Sequence, residues 1–321
     1  MIALTRRLTL LMPALAASPA IADTAWPSRP VRMIVPFAPG GPSDGIGRIL
    51  AEALAPKLGQ PVVVENRPGG GSVTGTTVAA QANDAHTLLV ASGAHVVNRA
   101  LHPNLPFDPL RDFQPIGLIS TTPLVVTVPA SSPLHGLEDL IAAAKANPGR
   151  ITYGSAGTAT INTLAAELFK MQTGTDLTGV NYRGEGALLP DLAAGTVNVG
   201  FLNLLAPLPL IQDGRLRALA VTASSGVPQL PGVRSMRDQG VPGFDQVGGW
   251  WSLLGRGLPE QVLPRLDALL RETLAEPRTR ERMLQLGMFP APMPRAELAR
   301  FLESEAARWA EVVRRANIRA E

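Results

Sequence analysis

The chain contains no cysteine. Disulfides, thiolate metal sites, a cysteine nucleophile and a lipid anchor on a leader-adjacent cysteine are therefore excluded. Aromatic residues are only 4% of the sequence, too few for a broad stacking platform for bases or sugars. The histidines, His86, His95, His102 and His135, are scattered, with neither an H-E-x-x-H run nor an Asp-rich calcium loop. Each reads as a surface or loop residue. The glycine-rich stretches do not spell G-x-G-x-x-G and no G-K-[ST] follows them, so no nucleotide, metal or other cofactor is expected. Beyond residue 22 no apolar run is long enough to span a bilayer.

What is present suits a globular α/β protein. The 321 residues exceed one ordinary core and predict two lobes. Charged residues are 17% and hydrophobic ones 45%, and 31 Gly with 30 Pro punctuate the chain with turns. The net charge of +3 is spread among acids, as in Arg271-Glu272 and Arg280-Glu281-Arg282, rather than clustered into a groove for nucleic acid.

Residues 1–22 read as a cleavable leader. Arg6-Arg7 form a positive start, Leu8 to Ala17 a short apolar stretch, and Ala20-Ile21-Ala22 a small-x-small cleavage site. Pro13 and Pro19 oppose the alternative of an amphipathic first helix. Thr5-Arg6-Arg7 leaves both Sec and twin-arginine export open. The product is expected in the periplasm.

Strand and helix patterns then alternate. Val31–Phe37 predicts a strand, Ser43–Leu58 a helix with apolar residues at helical spacing, 61–65 a strand, 73–81 a helix and 87–91 a strand. This order implies a parallel sheet with helices on both faces. Residues 105–112 form a turn-rich stretch, and 116–128 a long crossing strand interrupted at Pro123. A second α/β unit follows: helix 137–146, strand 151–155, helix 160–171, strand 180–182, helix 187–194, strands 197–201 and 216–222. Residues 247–255 read as a strand returning to the first unit, and helices near 259–275, 278–287 and 294–316 close the chain. The expectation is an α/β fold of two doubly wound sheets joined by a two-strand hinge, with 23–124 and 246–321 as lobe 1 and 125–245 as lobe 2. Ligands of such sheets bind at the carboxyl ends of the strands.

Two loops stand out. The first runs Phe37-Ala38-Pro39-Gly40-Gly41-Pro42-Ser43-Asp44 from strand to helix. Its glycines permit close backbone approach, and Ser43 or Asp44 can cap the helix. A helix start carries unpaired N–H groups and a partial positive charge, so it can hold a carboxylate without Lys or Arg. A plain structural turn fits this loop equally well. The second, Ser155-Ala156-Gly157-Thr158-Ala159-Thr160, repeats the design in the other lobe. Closure would bring both helix starts against one small organic anion. Ser92, Tyr182 and Asn203 follow strands and can face the same cleft. Glu65 to Ser72 reads as a flexible turn at the cleft edge, and Trp250-Trp251 as core or hinge packing. Gly41-Pro42-Ser43-Asp44-Gly45 also matches G-x-S-x-G, a hydrolase signature. It comes too early in the chain for that fold.

The chain resembles the Bug proteins, the TctC-type receptors of tripartite tricarboxylate transporters. The resemblance rests on 26–44 (WPSRPVRMIVPFAPGGPSD), 59–69 (GQPVVVENRPG), 105–113 (LPFDPLRDF), 146–149, 214–222 (GRLRALAVT) and 240–244. It implies a type II-like two-lobe periplasmic binding fold, ligand carboxylates held by loop amides and ordered water, and delivery to membrane permease subunits by a monomeric receptor that is not an enzyme. The second loop departs from the family form: Ala159 replaces a usual Gly, Thr163 a common His, and Leu202 a common Asp. Loss of that acid favours a simple carboxylate over an amino acid. A sensing module that docks on a signalling receptor, and a Ser43 hydrolase, are the alternatives.

Overall fold

The computed structural model describes residues 26–102, 104–155, 157, 160–182, 184–224, 226–245 and 247–319. Residues 1–22, read above as a leader, and Thr158 and Ala159 lie outside them. In chain order the elements are β1 (Val31–Val35), α1 (Pro42–Leu58), β2 (Val62–Asn66), α2 (Val73–Ala82), β3 (Thr87–Ser92), α3 (Ala94–Leu101), β4 (Gln114–Pro129), α4 (Leu137–Ala146) and β5 (Thr152–Ser155). They continue with α5 (Ile161–Thr173), β6 (Thr178–Asn181), α6 (Glu185–Ala194), β7 (Val199–Asn203), α7 (Leu208–Gln212) and β8 (Leu216–Val221). The last are β9 (Gly248–Gly255), α8 (Val262–Ala275), α9 (Pro277–Gln285), β10 (Phe289–Met293) and α10 (Arg295–Arg315).

Two half-sheets share β4. In the first, β2, β1 and β3 are parallel, and β9 lies antiparallel between β3 and the first half of β4. In the second, β6, β5 and β7 are parallel, and the second half of β4 lies antiparallel between β7 and β8. Both halves thus follow one order with a reversed strand in the same place, and in the first half β10 adds a second strand antiparallel to β4. The sheets are mixed rather than purely parallel, because the chain crosses between halves on β4 and returns on β9.

Local sequence explains the elements near the cleft. α1 starts on Pro42, whose missing N–H costs nothing at a helix start. It buries Ile46, Ile49, Leu50, Leu54 and Leu58, each contributing about 1.5–3 kcal/mol. Gly59 ends it in a left-handed turn, its N–H bonded to the Ala55 carbonyl. The two tryptophans of β9 point to opposite faces. Trp251 enters the core with α1 and α8, and Trp250 the core that α10 and α5 share.

The structure differs from the sequence expectation at five places. β4 runs unbroken through Pro123, where the strand exchanges β9 for β7 as partner and its missing N–H is tolerated. α3 and the short α7 went unpredicted. So did β10, whose Pro290 and Pro292 mask a strand that pairs irregularly with β4. His95 is no surface residue. It is buried, stacked against Phe107 and edge-on to Phe113, with Nε2 2.9 Å from the Pro109 carbonyl.

Candidate functional site

Strand polarity sets where the βα loops meet. β3 runs antiparallel to β9 and β9 to β4, so β1 and β3 run with β4 and end towards the second half-sheet. β7 runs against β4 and β5 runs with β7, so both end towards the first half-sheet. The loops after β1 and β3 therefore face the loops after β5 and β7 across the middle of β4. Ser92 is level with Trp251 and so with Ser120, and Asn203 is level with Leu124. Four residue steps along β4 separate those levels, a span of about 13 Å.

The first loop is held from within. Phe37 is partly buried, while Ala38, Pro39 and Gly40 are exposed. Gly40 has φ +84°, a left-handed value that favours glycine. Neither Ser43 nor Asp44 caps α1; Gly41 is the N-cap, with no side-chain cap bond. Asp44 instead turns its carboxylate into the loop. It accepts from Gly40 N (2.9 Å), Arg48 Nε (2.9 Å) and Asn66 Nδ2 (3.0 Å), and Asn66 Nδ2 also donates to the Phe37 carbonyl at 3.1 Å. The hydrogen bond from Arg48, aided by those from Gly40 and Asn66, outweighs burial and lowers the Asp44 pKa to about 2. Ser43 is buried, and its Oγ accepts from Trp251 Nε1 at 2.8 Å. Asp44 and Ser43 thus brace the loop. Position alone leaves the N–H groups of Ser43 and Asp44 without intrahelical partners.

The second loop is tied by hydroxyls. Ser155 Oγ is hydrogen-bonded to Thr163 Oγ1 and accepts from Gly157 N at 3.3 Å. The Gly157 carbonyl accepts from Thr160 Oγ1 (2.8 Å) and Thr163 Oγ1 (2.7 Å). Thr160 is the N-cap of α5, yet its hydroxyl serves Gly157 rather than the helix. Thr163 fixes the turn. The N–H groups of Ile161, Asn162 and Thr163 have no intrahelical partner by position.

Two further candidates behave differently. Tyr182 N donates to the Ser155 carbonyl at 2.8 Å, which sets the loops side by side, but its hydroxyl donates to Asp191 at 2.7 Å. Burial, and then Asp191, raise the Tyr182 pKa to about 12. Asn203 donates through N and Nδ2 to one oxygen of Glu185, both at 2.8 Å. Asn162 Nδ2 donates to the same oxygen at 2.5 Å and to the Phe201 carbonyl at 2.6 Å. Burial raises the Glu185 pKa, against the lowering effect of these three donors. Sequence reading missed Glu185, Asn162 and the brace role of Trp251. The one available signal for Glu185 was an acid directly after Gly184 at a helix start.

A cavity of about 380 Å³ lies where the two crossings meet, lined by Thr122, Pro123, Thr222, Val227, Gly248 and Gly249 among others. Neither glycine loop lines it. Among the described residues no group of three or more His, Asp or Glu is placed to hold a metal ion. No helix among them is long and apolar enough to cross a membrane.

This architecture defines the class: a two-lobe α/β periplasmic binding protein fold, with βα loops of each half aimed at the other. Within it, residues 46–318 match the tripartite tricarboxylate transporter family receptor, TctC, and the chain belongs to that family. It is 35% identical to protein BugT of Bordetella pertussis over 93% of this chain and 92% of that protein. Two solved structures, each 31% identical, are similar throughout. One is an R. palustris protein with adipate, covering 92% of this chain and 99% of that one at TM-score 0.77. The other is MatC of Rhodopseudomonas palustris with bound malate, covering 90% and 100% at TM-score 0.73.

Proposed function

We propose that this chain captures a small carboxylate between its lobes and delivers it to the membrane permease of a tripartite transporter. The observation that carries the reading is the opposed polarity of the half-sheets. It puts the starts of α1 and α5 on facing edges of the two half-sheets, which supports a ligand taken by both. The family match, and relatives holding adipate and malate, support a carboxylate as the ligand.

In this reading lobe 1 comprises 23–124 and 246–321 and lobe 2 comprises 125–245. The ligand's carboxylates are taken by main-chain N–H groups around Gly41 to Asp44 and Gly157 to Thr163, with Ser92 and Asn203 at the cleft floor. The leader-like residues 1–22 support export to the periplasm. The chain acts as a monomeric binder and not as a hydrolase: Ser43 Oγ accepts from Trp251, and no histidine bonds to it among the described residues. Thermal-shift screening of dicarboxylates and amino acids on protein refolded from denaturant tests the reading, because a ligand that binds only the folded form raises Tm. A carboxylate hit supports it. A screen in which only non-acidic compounds raise Tm contradicts it.

A further inference from the structure

Three βα junctions meet at the carboxyl edge of the second half-sheet, and their side chains leave an unusual balance of donors and acceptors. Asn162 stands in the first turn of α5, Glu185 opens α6, and Asn203 ends β7. Among the described residues, the three donors that reach Glu185 converge on Oε1, and Oε2 takes none of them. The Asn203 amide has one sensible orientation, since its Nδ2 must face the carboxylate. Among the described residues its Oδ1 is then buried without a partner, turned towards the hinge, 3.2 Å from where a Cβ on Gly249 would sit. Meanwhile the hydroxyls of Ser155, Thr160 and Thr163 are committed to their own turn.

A ligand arriving here meets side-chain acceptors and main-chain donors. The unpaired N–H groups of α5 suit a carboxylate. A second plain carboxylate, or a bare methylene, would leave Glu185 and Asn203 Oδ1 facing an acceptor or nothing, and for Asn203 Oδ1, buried and unpartnered among the described residues, that is costly. An O–H or N–H on the ligand satisfies them.

Resting on the carboxylate-receptor reading above, we infer that Glu185, positioned by Asn162 and Asn203, selects carboxylates that carry a hydrogen-bond donor, hydroxyl or ammonium, over unsubstituted dicarboxylates of equal length. This reverses the sequence-based preference for a simple carboxylate: the acid absent at Leu202 is supplied from Glu185.

Calorimetry with refolded protein and three four-carbon acids, succinate, malate and aspartate, tests it. Malate or aspartate should bind about tenfold tighter than succinate or better, the worth of one well-made hydrogen bond. The tighter of the two tells hydroxyl from ammonium. Glu185→Gln keeps an oxygen for the three donors and so preserves the fold, but presents an NH2 to the ligand. It should erase the preference for aspartate and leave succinate within about threefold. Succinate binding as tightly as both others, or Glu185→Gln weakening all three equally, would overturn the inference. Binding of none of the three would overturn the carboxylate reading itself, and this inference with it.

Discussion

Trp251 donates its indole N–H to Ser43 Oγ at 2.8 Å, and so fastens the hinge strand to the first turn of α1. On the opposite face its neighbour Trp250 donates to Glu305 at 3.0 Å, an acceptor shared with Trp309 at 2.9 Å. β9 is therefore pinned on both sides directly after the chain recrosses between half-sheets. One hydrogen bond thus joins β9 to the end of the 37–44 loop.

Removing that bond should loosen the loop without emptying the core. Trp251→Phe is expected to cost about 1–3 kcal/mol in stability, from lost packing and one hydrogen bond. Carboxylate affinity should also fall. Urea unfolding and calorimetry on one preparation check both, and unchanged affinity would separate Trp251 from the loop.

Asp44 gives the loop an acid-sensitive hold. Its folded pKa, about 2, lies below the unfolded value. The stabilisation is complete above about pH 4 and is lost as pH falls through 2. Asp44→Asn should be about 1–2 kcal/mol less stable at pH 7, discounted for the exposed Arg48 partner, and the gap should close near pH 2. Unfolding curves of both proteins from pH 7 to 2 measure this.

His95 should dominate mild-acid behaviour. Burial lowers its pKa to about 4 despite the Pro109 carbonyl. For a base depressed by folding, stability is complete above its unfolded pKa near 6.5 and falls as pH drops towards 4, by up to about 1.4 kcal/mol per pH unit. His95→Gln should flatten that slope in the same unfolding series.

Glycine is required at Gly248 by close approach. A Cβ there would lie 2.2 Å from the Thr122 carbonyl oxygen, where β4 and β9 cross between halves. Gly248→Ala is expected to destabilise by about 1–3 kcal/mol through forced displacement. Gly41 is the contrast: its φ is −84° and an added Cβ meets nothing closer than 3.7 Å. Gly41→Ala should leave Tm nearly unchanged and weaken ligand binding, as calorimetry would read.

Much of the fold was legible because periodicity and punctuation report local structure. Leu137–Ala146 was bounded correctly by its apolar spacing and Asn147-Pro148-Gly149. β10 was hidden because two prolines argue against a strand, and only its irregular pairing with β4 tolerates them. The two candidate loops were visible as strand, small residues, helix. Their bracing was not, since the Asp44–Asn66 and Ser43–Trp251 bonds join residues 22 and 208 apart in sequence. Glu185 escaped notice for the same reason: its partners come from α5 and β7, and no local pattern announces them.

A crystal structure of the refolded protein with malate tests the central claim most directly. The account predicts one bound molecule with carboxylate oxygens about 2.7–3.2 Å from N–H groups of both Ser43–Asp44 and Ile161–Thr163. Malate seated instead in the cavity between Thr222 and Gly249, with neither helix start in reach, would contradict it.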